Sequence, residues 1–134
     1  MKMILFAAAG LTAALLTPAL AAVGQSAPPR AGGGDAAAGL RTFGQCRTCH
    51  AAAANLPNGI GPNLTGIYGR KAATRPGYAY SPALKAANLT WNEATLDRWL
   101  TDPAAMVHGT KMIFGKLPSK PVRDNVIAYL KTLK

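Results

Sequence analysis

Apolar side chains recur at helical spacing in several parts of the chain, while strand-like alternation of apolar and polar residues is nearly absent. The C-terminal pattern is the most regular one. There, Val122, Val126, Leu130 and Leu133 form an i, i+4 stripe that Ile127 broadens. Because an apolar stripe of this kind must be buried against a partner, the pattern predicts an all-α fold in which the last helix packs on another helix.

The predicted partner is a helix that begins after Asp35, a suitable N-cap, and runs to about Cys46. Leu40 and Phe43 lie three residues apart on one of its faces. Gly39 leaves this helix thin at one point, which permits close approach of another backbone. We therefore predict that the first and last helices of the domain cross near Gly39 and Phe43.

The middle of the chain predicts two shorter helices separated by loops. Residues 81–87 begin with a Ser-Pro pair, typical of an N-cap and first helical position, and residues 90–93 form a capping box before a helix that Pro103 ends. Residues 51–69 are rich in turn-forming Pro, Gly and Asn, and residues 104–117 form a second non-helical run. Long loops are unusual in a compact domain unless they surround something, so a bound group is expected.

The N-terminal part differs in composition from the rest. Lys2 precedes an apolar run at residues 4–16, which is followed by a small-residue Ala-Leu-Ala site at residues 19–21. This pattern predicts a cleavable secretory signal peptide, residues 1–22. A retained membrane anchor is the alternative, but the apolar run is short for a membrane span. Residues 23–34 are rich in Gly, Pro, Ala and Ser and predict a flexible leader.

Residues 35–134 then form one small domain, whose own apolar core would be modest. The whole chain has a formal net charge of +10, from 15 Lys and Arg against 5 Asp and Glu. This balance favours acidic protein partners or an anionic membrane surface, unless it serves solubility alone. Nucleic acid is disfavoured because the chain is exported and has no basic cluster with interleaved aromatic residues.

The most specific feature is the pentad at residues 46–50, Cys-Arg-Thr-Cys-His. Two thiols one helical turn apart can add to the two vinyl groups of one haem, while the adjacent imidazole reaches the iron. The pentad therefore predicts one haem c, attached covalently through Cys46 and Cys49, with His50 as an iron ligand.

Three other interpretations of the pentad are weaker. A thioredoxin-like dithiol requires a preceding strand in a βαβ unit, whereas the residues before Cys46 predict a helix. A structural zinc site requires four ligands, and beyond the pentad the chain offers only His108 and scattered acids. A disulfide between Cys46 and Cys49 would be strained and would leave His50 unexplained.

Two further motifs follow the pentad: Gly-Pro-Asn-Leu at residues 61–64 and Gly-Thr-Lys-Met-Ile-Phe at residues 109–114. With these motifs in this order, residues 34–134 closely resemble the class I monohaem cytochromes c of the mitochondrial and periplasmic bacterial types. The resemblance implies short helices and long loops wrapped around one covalently bound haem, with the N- and C-terminal helices crossing.

The resemblance also implies roles for individual residues. Cys46 and Cys49 would carry the thioether bonds, His50 and Met112 would be the axial ligands, and the Pro62 carbonyl would accept a hydrogen bond from the ring N–H of His50. The other haem contacts that it implies are Arg70, Tyr80, Trp91 and Thr110 around the propionates, Phe114 beside the haem edge, and Trp99 where relatives commonly carry a tyrosine bonded to the methionine sulfur.

The function implied by the resemblance is that of an exported, monomeric one-electron carrier in the periplasm, with no enzymatic activity and no small-molecule substrate. Its partners would be acidic redox proteins, such as respiratory or photosynthetic-type membrane complexes, that dock near Arg47, Lys111, Lys116 and Lys120. An electron-accepting subunit of an exported dehydrogenase would use the same chemistry and is the main alternative. A haem peroxidase or gas-binding protein would need a vacant distal site, which Met112 argues against.

Overall fold

The computed structural model describes residues 33–134. The predicted signal peptide and nearly all of the predicted leader lie outside the described residues. None of the helices in the described part is both long enough and apolar enough to cross a membrane. The elements are, in chain order, helix α1 Ala36–Phe43, a 3-10 turn Cys46–Thr48, α2 Pro82–Ala86, α3 Glu93–Thr101, α4 Pro103–Met106 and α5 Lys120–Leu130.

No β-strand occurs in residues 33–134, which confirms the all-α prediction. An isolated antiparallel bridge pairs Lys71 with Thr90. Beside it, the Trp91 N–H donates to the Arg70 carbonyl at 2.9 Å. This pairing ties the long loop ahead of α2 to the residues that precede α3.

The first and last helices cross in close contact, as predicted. A Cβ atom at Gly39 would lie 1.9 Å from the Asn125 carbonyl oxygen, so only glycine lets the two backbones come this close. Next to the crossing, Phe43 packs on Tyr129 with 4.9 Å between the ring centroids. The Asn125 side chain also accepts a 2.7 Å hydrogen bond from the Asp35 N–H. The two ends of the described domain are therefore fixed to each other.

Helix α1 is shorter than predicted and buries a different pair of residues. Asp35 caps it as expected, accepting hydrogen bonds from two backbone N–H groups of the first turn. The helix ends at Phe43, however, and not near Cys46. Leu40, which was expected on the buried face, is 42% exposed. The reason is that α5 crosses at Gly39, so that Gly39 and Phe43, one turn apart, face the core together.

The boundaries of α3 and α4 also differ from the prediction. Asn92 caps α3, and the prediction of a Thr90 cap is wrong because the bridge holds Thr90 outside the helix. The backbone N–H of each member of the Asn92–Thr95 pair donates to the side chain of the other, at 2.8 and 3.0 Å. After α3, the chain forms the short helix α4 where a non-helical run was predicted. Asp102 caps α4, and Pro103 suits its first turn.

The apolar core lies where α5 packs against α1 and α3. Of the predicted stripe on α5, Val126, Ile127 and Leu130 are buried, whereas the residues at its two ends are partly exposed. Helix α5 also buries a charged residue, Arg123, which is 7% exposed. The stripe prediction therefore identifies the packed face but not the arginine beside it.

Candidate functional site

One side of the core opens into an apolar cavity of about 300 Å³. Its wall includes the 3-10 turn and the loop after it, the segment around α2, part of α3 and the loop between α4 and α5, together with Phe43 of α1 and Val126 and Leu130 of α5. We call this last loop, residues 107–119, the Met112 loop. All of the site residues predicted from the sequence except Arg70 line the cavity, namely Cys46, Cys49, His50, Pro62, Tyr80, Trp91, Trp99, Thr110, Met112 and Phe114.

The imidazole of His50 is held in one orientation. Its Nδ1 lies 2.8 Å from the Pro62 carbonyl oxygen, so Nδ1 carries the donated proton and Nε2 keeps its lone pair. Gly61 lies against the ring, where a Cβ atom would be 2.4 Å from the imidazole Cε1. Burial lowers the pKa of His50 below its usual value, although the Pro62 hydrogen bond opposes this effect. The ring is therefore neutral at pH 7, and its Nε2 suits a metal ion.

The loop that carries Pro62 is fixed by Asn63, which is completely buried. The Asn63 amide nitrogen donates to the carbonyls of Ala53 and Leu56 at 2.8 and 2.7 Å. Its amide oxygen accepts hydrogen bonds from the backbone N–H and the hydroxyl of Thr65, both at 2.8 Å. These bonds replace the secondary structure that the loop lacks. The sequence includes Asn63 in a motif but gives no signal that this residue organises the loop.

The 3-10 turn brings Cys46 and Cys49 to the same cavity. The Cys49 N–H donates to the Cys46 carbonyl at 3.1 Å, and the two thiols are not joined in a disulfide. Burial raises the pKa of the Cys46 thiol to about 11, whereas a redox dithiol works through a lowered thiol pKa. Residues 33–134 also contain no group of three His, Cys, Asp or Glu side chains that could hold a metal ion. Both findings weigh against the redox-dithiol and zinc interpretations.

The Met112 side chain lies beside Trp99 in the cavity wall. The Trp99 Nε1–H donates a 3.2 Å hydrogen bond to the Met112 sulfur. Trp99 is itself packed edge-on against Trp91, with 5.2 Å between the ring centroids. The Met112 N–H donates to the Thr110 hydroxyl at 3.3 Å. The indole therefore supplies the donor that the resemblance implied for a tyrosine, and the sulfur keeps a second lone pair.

Two other residues of ligand type lie close to Met112 in sequence but outside the cavity wall. Met106 is partly buried and packs against the apolar core. His108 is exposed. Of these three residues, Met112 is therefore the one that lines the cavity.

Arg70, the predicted site residue outside the cavity wall, carries donors that lack acceptors. Its Nη1 donates to the Thr65 carbonyl at 2.8 Å, but its Nε and Nη2 are buried and have no hydrogen-bond partner among the described residues. Buried guanidinium donors need acceptors, and a carboxylate group supplies two. Burial raises the pKa of Tyr80, so its hydroxyl stays protonated. These groups fit the propionates of a haem.

The mouth of the cavity combines apolar and basic side chains. Ile60 and Ile113 both line it and are 79% and 101% exposed. Lys111 lies on the same rim, where its ammonium donates to the Ala79 carbonyl at 2.9 Å. An exposed apolar surface with a basic residue at its edge is suited to contact with another protein.

The four basic residues predicted for docking differ in their surroundings. Lys116 forms an ion pair with Asp102, and Lys120 forms one with Asp124, each at 2.7 Å. The other two, Arg47 on the 3-10 turn and the lysine of the cavity rim, form no ion pair within the described residues. Of these four residues, Lys111 therefore combines a position on the cavity rim with a charge that has no counter-charge in the described part of the chain.

Comparisons with known proteins agree with this geometry, although no family model matches the chain. Cytochrome c2 from Rhodoblastus acidophilus is 46% identical over 101 residues, which cover 75% of this chain and 94% of that protein. Cytochrome c-550 from Nitrobacter winogradskyi is 42% identical over 97 residues, 72% of this chain and 89% of the relative. The solved structure of cytochrome cH from Methylobacterium extorquens matches with a TM-score of 0.70 and 48% identity, covering 74% of this chain and 99% of that one.

An all-helical shell around a cavity that holds two thiols, an imidazole and a thioether is the structure of a c-type haem protein. The similarity in sequence and structure makes the assignment more specific: this chain belongs to the class I monohaem cytochromes c. It is accordingly an electron-transport protein that carries haem c. The resemblance inferred from the sequence motifs is confirmed.

Proposed function

We propose that this domain is an exported one-electron carrier whose single haem c is bound covalently through Cys46 and Cys49 and ligated by His50 and Met112. The observation that carries the proposal is the set of groups in one cavity. A neutral imidazole with a free Nε2 and a thioether sulfur oriented by Trp99 line the same apolar space as the two thiols. The haem supplies the exchange of one electron through the ferric and ferrous states of its iron.

The chain's own residues would orient the ligands and keep water out. The hydrogen bond to the Pro62 carbonyl fixes the rotation of the His50 ring and makes its Nε2 more basic. The hydrogen bond from Trp99 draws electron density from the Met112 sulfur, which favours the ferrous state. Because His50 and Met112 would both bind the iron, they would leave no place there for a substrate, and the proposed role is that of a carrier and not of an enzyme.

The proposed place of work is the periplasm, because residues 1–22 have the pattern of a secretory signal peptide. The proposed partners are acidic redox proteins that contact the cavity mouth at Ile60, Ile113 and Lys111. Complexes of this kind are small and transient, so that charge governs the encounter more than the lifetime. A monomer suffices for this role.

The ligand set can be tested by spectroscopy of the purified holoprotein. Acid–acetone extraction should leave the haem with the polypeptide, and the intact mass should include one haem. The weak near-infrared band of a thioether bound to ferric haem should be present in the wild type, vanish in Met112→Ala, and persist in the control variants Met106→Leu and His108→Ala. A band that survives in Met112→Ala, or haem in the organic phase, would contradict the proposal.

A further inference from the structure

Helix α5 buries the guanidinium of Arg123, which makes hydrogen bonds to two other parts of the fold. Its Nε donates to the carboxylate of Asp97 in α3 at 2.8 Å. Its Nη1 donates to the backbone carbonyls of Leu117 and Pro118, both at 2.8 Å. These two carbonyls belong to the C-terminal end of the Met112 loop. One side chain thus connects α3, α5 and the end of the loop that carries the proposed ligand.

We propose that the Asp97–Arg123 pair positions Met112 by holding the C-terminal end of the Met112 loop closed over the cavity. The inference rests on the proposed function of Met112 as an iron ligand. Asp97 lies two residues before Trp99 in the same helix, and Trp99 contacts the Met112 sulfur. Helix α3 therefore contacts the Met112 sulfur directly through Trp99, and it is connected to the end of the Met112 loop through Arg123.

The Met112 loop depends on such a contact because its own backbone offers little support. Among the described residues, the N–H groups of residues 113–116 donate to no backbone carbonyl. Ile113 has no protection from solvent, at 101% exposure. Hydrogen bonding of the loop backbone resumes at Leu117. Its N–H donates to the Leu100 carbonyl at 3.0 Å, and its carbonyl accepts a hydrogen bond from Arg123.

The Asp97–Arg123 pair is the most buried of the ion pairs in the described part of the chain. The Arg123 side chain is 9% exposed, whereas the lysine side chains of the other pairs are 39% to 67% exposed. Removing one partner of a buried pair leaves an uncompensated charge, while an exposed pair contributes little. The guanidinium also has two nitrogens that donate to different elements, Nε to α3 and Nη1 to the Met112 loop. One lysine ammonium does not reproduce this arrangement.

The test measures how readily an added ligand enters the ferric holoprotein. Imidazole binds only those molecules in which Met112 has left the iron, so its apparent affinity rises in proportion to the open fraction of the Met112 loop. We expect Arg123→Lys to raise this affinity by about tenfold or more, a change of about 1.4 kcal/mol. Asp97→Asn should raise it by a smaller factor, because the bonds from Arg123 to Leu117 and Pro118 remain.

Two control variants separate this role from a general loss of stability. Glu93→Gln weakens the ion pair between α3 and Lys131, the residue that follows α5, in which Glu93 lies 2.8 Å from Lys131 and is 56% exposed. Ile127→Val loosens the packing of α5 at a residue that is 1% exposed and does not line the cavity. Both controls should leave the imidazole affinity within about twofold of the wild type. Denaturant unfolding followed by circular dichroism gives the global stability of each variant.

The near-infrared band of the ferric wild type identifies which proposal fails. Without that band Met112 is not the ligand, and the ligand assignment and this inference are both overturned. If the band is present, the rise in imidazole affinity of each variant is compared with that variant's loss of global stability. If this ratio is no larger in Arg123→Lys than in Ile127→Val, only the positioning role of Arg123 is overturned. Should Arg123→Lys not yield folded holoprotein, Asp97→Asn decides by the same comparison with Glu93→Gln.

Discussion

The two side chains proposed as iron ligands are each oriented by one hydrogen bond to another residue of the cavity wall. His50 donates to the Pro62 carbonyl, and Met112 accepts from the Trp99 indole. With both side chains bound to iron, the first bond would make the imidazole a stronger donor and the second would make the sulfur a weaker one. The two bonds would therefore act in opposite directions on the reduction potential. Asn63 supports the first of them by fixing the loop around Pro62.

The contribution of the indole can be measured in Trp99→Phe. Without the N–H donor, the sulfur should bind ferric iron more strongly, and the reduction potential should fall by about 20–60 mV, which corresponds to the ~0.5–1.4 kcal/mol of one neutral hydrogen bond. Protein-film voltammetry gives the potential. Trp99→Tyr keeps a donor near the sulfur and should show a smaller fall. Equal falls in the two variants would show that the packing of the indole, and not its N–H group, sets the potential.

The helices are too short to be stable in isolation, so contacts between elements decide the fold. Helix α1 has 8 residues and α3 has 9, fewer than a peptide helix needs in water. Both are stabilised by packing on α5, α1 at the Gly39 crossing and α3 through apolar contacts and the Asp97–Arg123 pair. The same crossing brings the 3-10 turn with its two cysteines to the cavity, so packing of the elements also assembles the site.

The crossing makes a prediction for Gly39→Ala. The added Cβ would overlap the Asn125 carbonyl oxygen, and the backbones must separate, so we expect the free energy of unfolding to fall by about 2–3 kcal/mol or more. The denaturant midpoint of the holoprotein measures this loss. Gly115→Ala is the control, because a Cβ atom there has no neighbour within 4 Å, and its effect should stay within about 0.5 kcal/mol. Similar midpoints for both variants would show that the helices are not in close contact.

In the molecule as a whole, the acidic residues all have local partners, whereas most of the basic residues form no ion pair in the described part of the chain. The chain has 5 acidic residues against 15 basic ones, and every acidic residue has a partner within the described part. Most of the positive charge is therefore free to act at long range. The acidic residues are Asp35, which caps α1, Glu93, paired with Lys131, Asp97 with Arg123, Asp102 with Lys116, and Asp124 with Lys120.

Electron transfer to an acidic partner should therefore depend on ionic strength. The second-order rate constant, measured by stopped flow, should fall steadily from low salt to physiological strength, where the Debye length is ~8 Å. Lys111→Glu, on the cavity rim, should slow the reaction more than the control Lys134→Glu, which lies away from the cavity. A rate that does not change with salt would mean that docking depends on apolar contacts of Ile60 and Ile113, and that the net charge serves solubility.

The sequence alone determined the features that depend on local chemistry. The pentad at residues 46–50 predicted the attachment site because the spacing of two thiols and an imidazole is fixed by one turn of chain. The stripe on α5 identified a packed helix because its period is that of the helix itself. Gly39 marked the crossing because no other residue allows backbones to come so close. Each of these signals lies within one short segment of the chain.

Only the tertiary structure decided which residues meet across the fold. Leu40 is outside the core because α5 approaches at Gly39, and Asn92 caps α3 because a bridge to Lys71 holds Thr90 outside the helix. The central role of Asn63, the contact of the Trp99 indole with the Met112 sulfur, and the burial of Arg123 under the end of the Met112 loop have no local signal. The contact of Trp99 with Met112 joins residues 13 apart in sequence, and the contact of Arg123 with Asp97 joins residues 26 apart. Both contacts therefore depend on the closed fold and not on the neighbours of each residue along the chain.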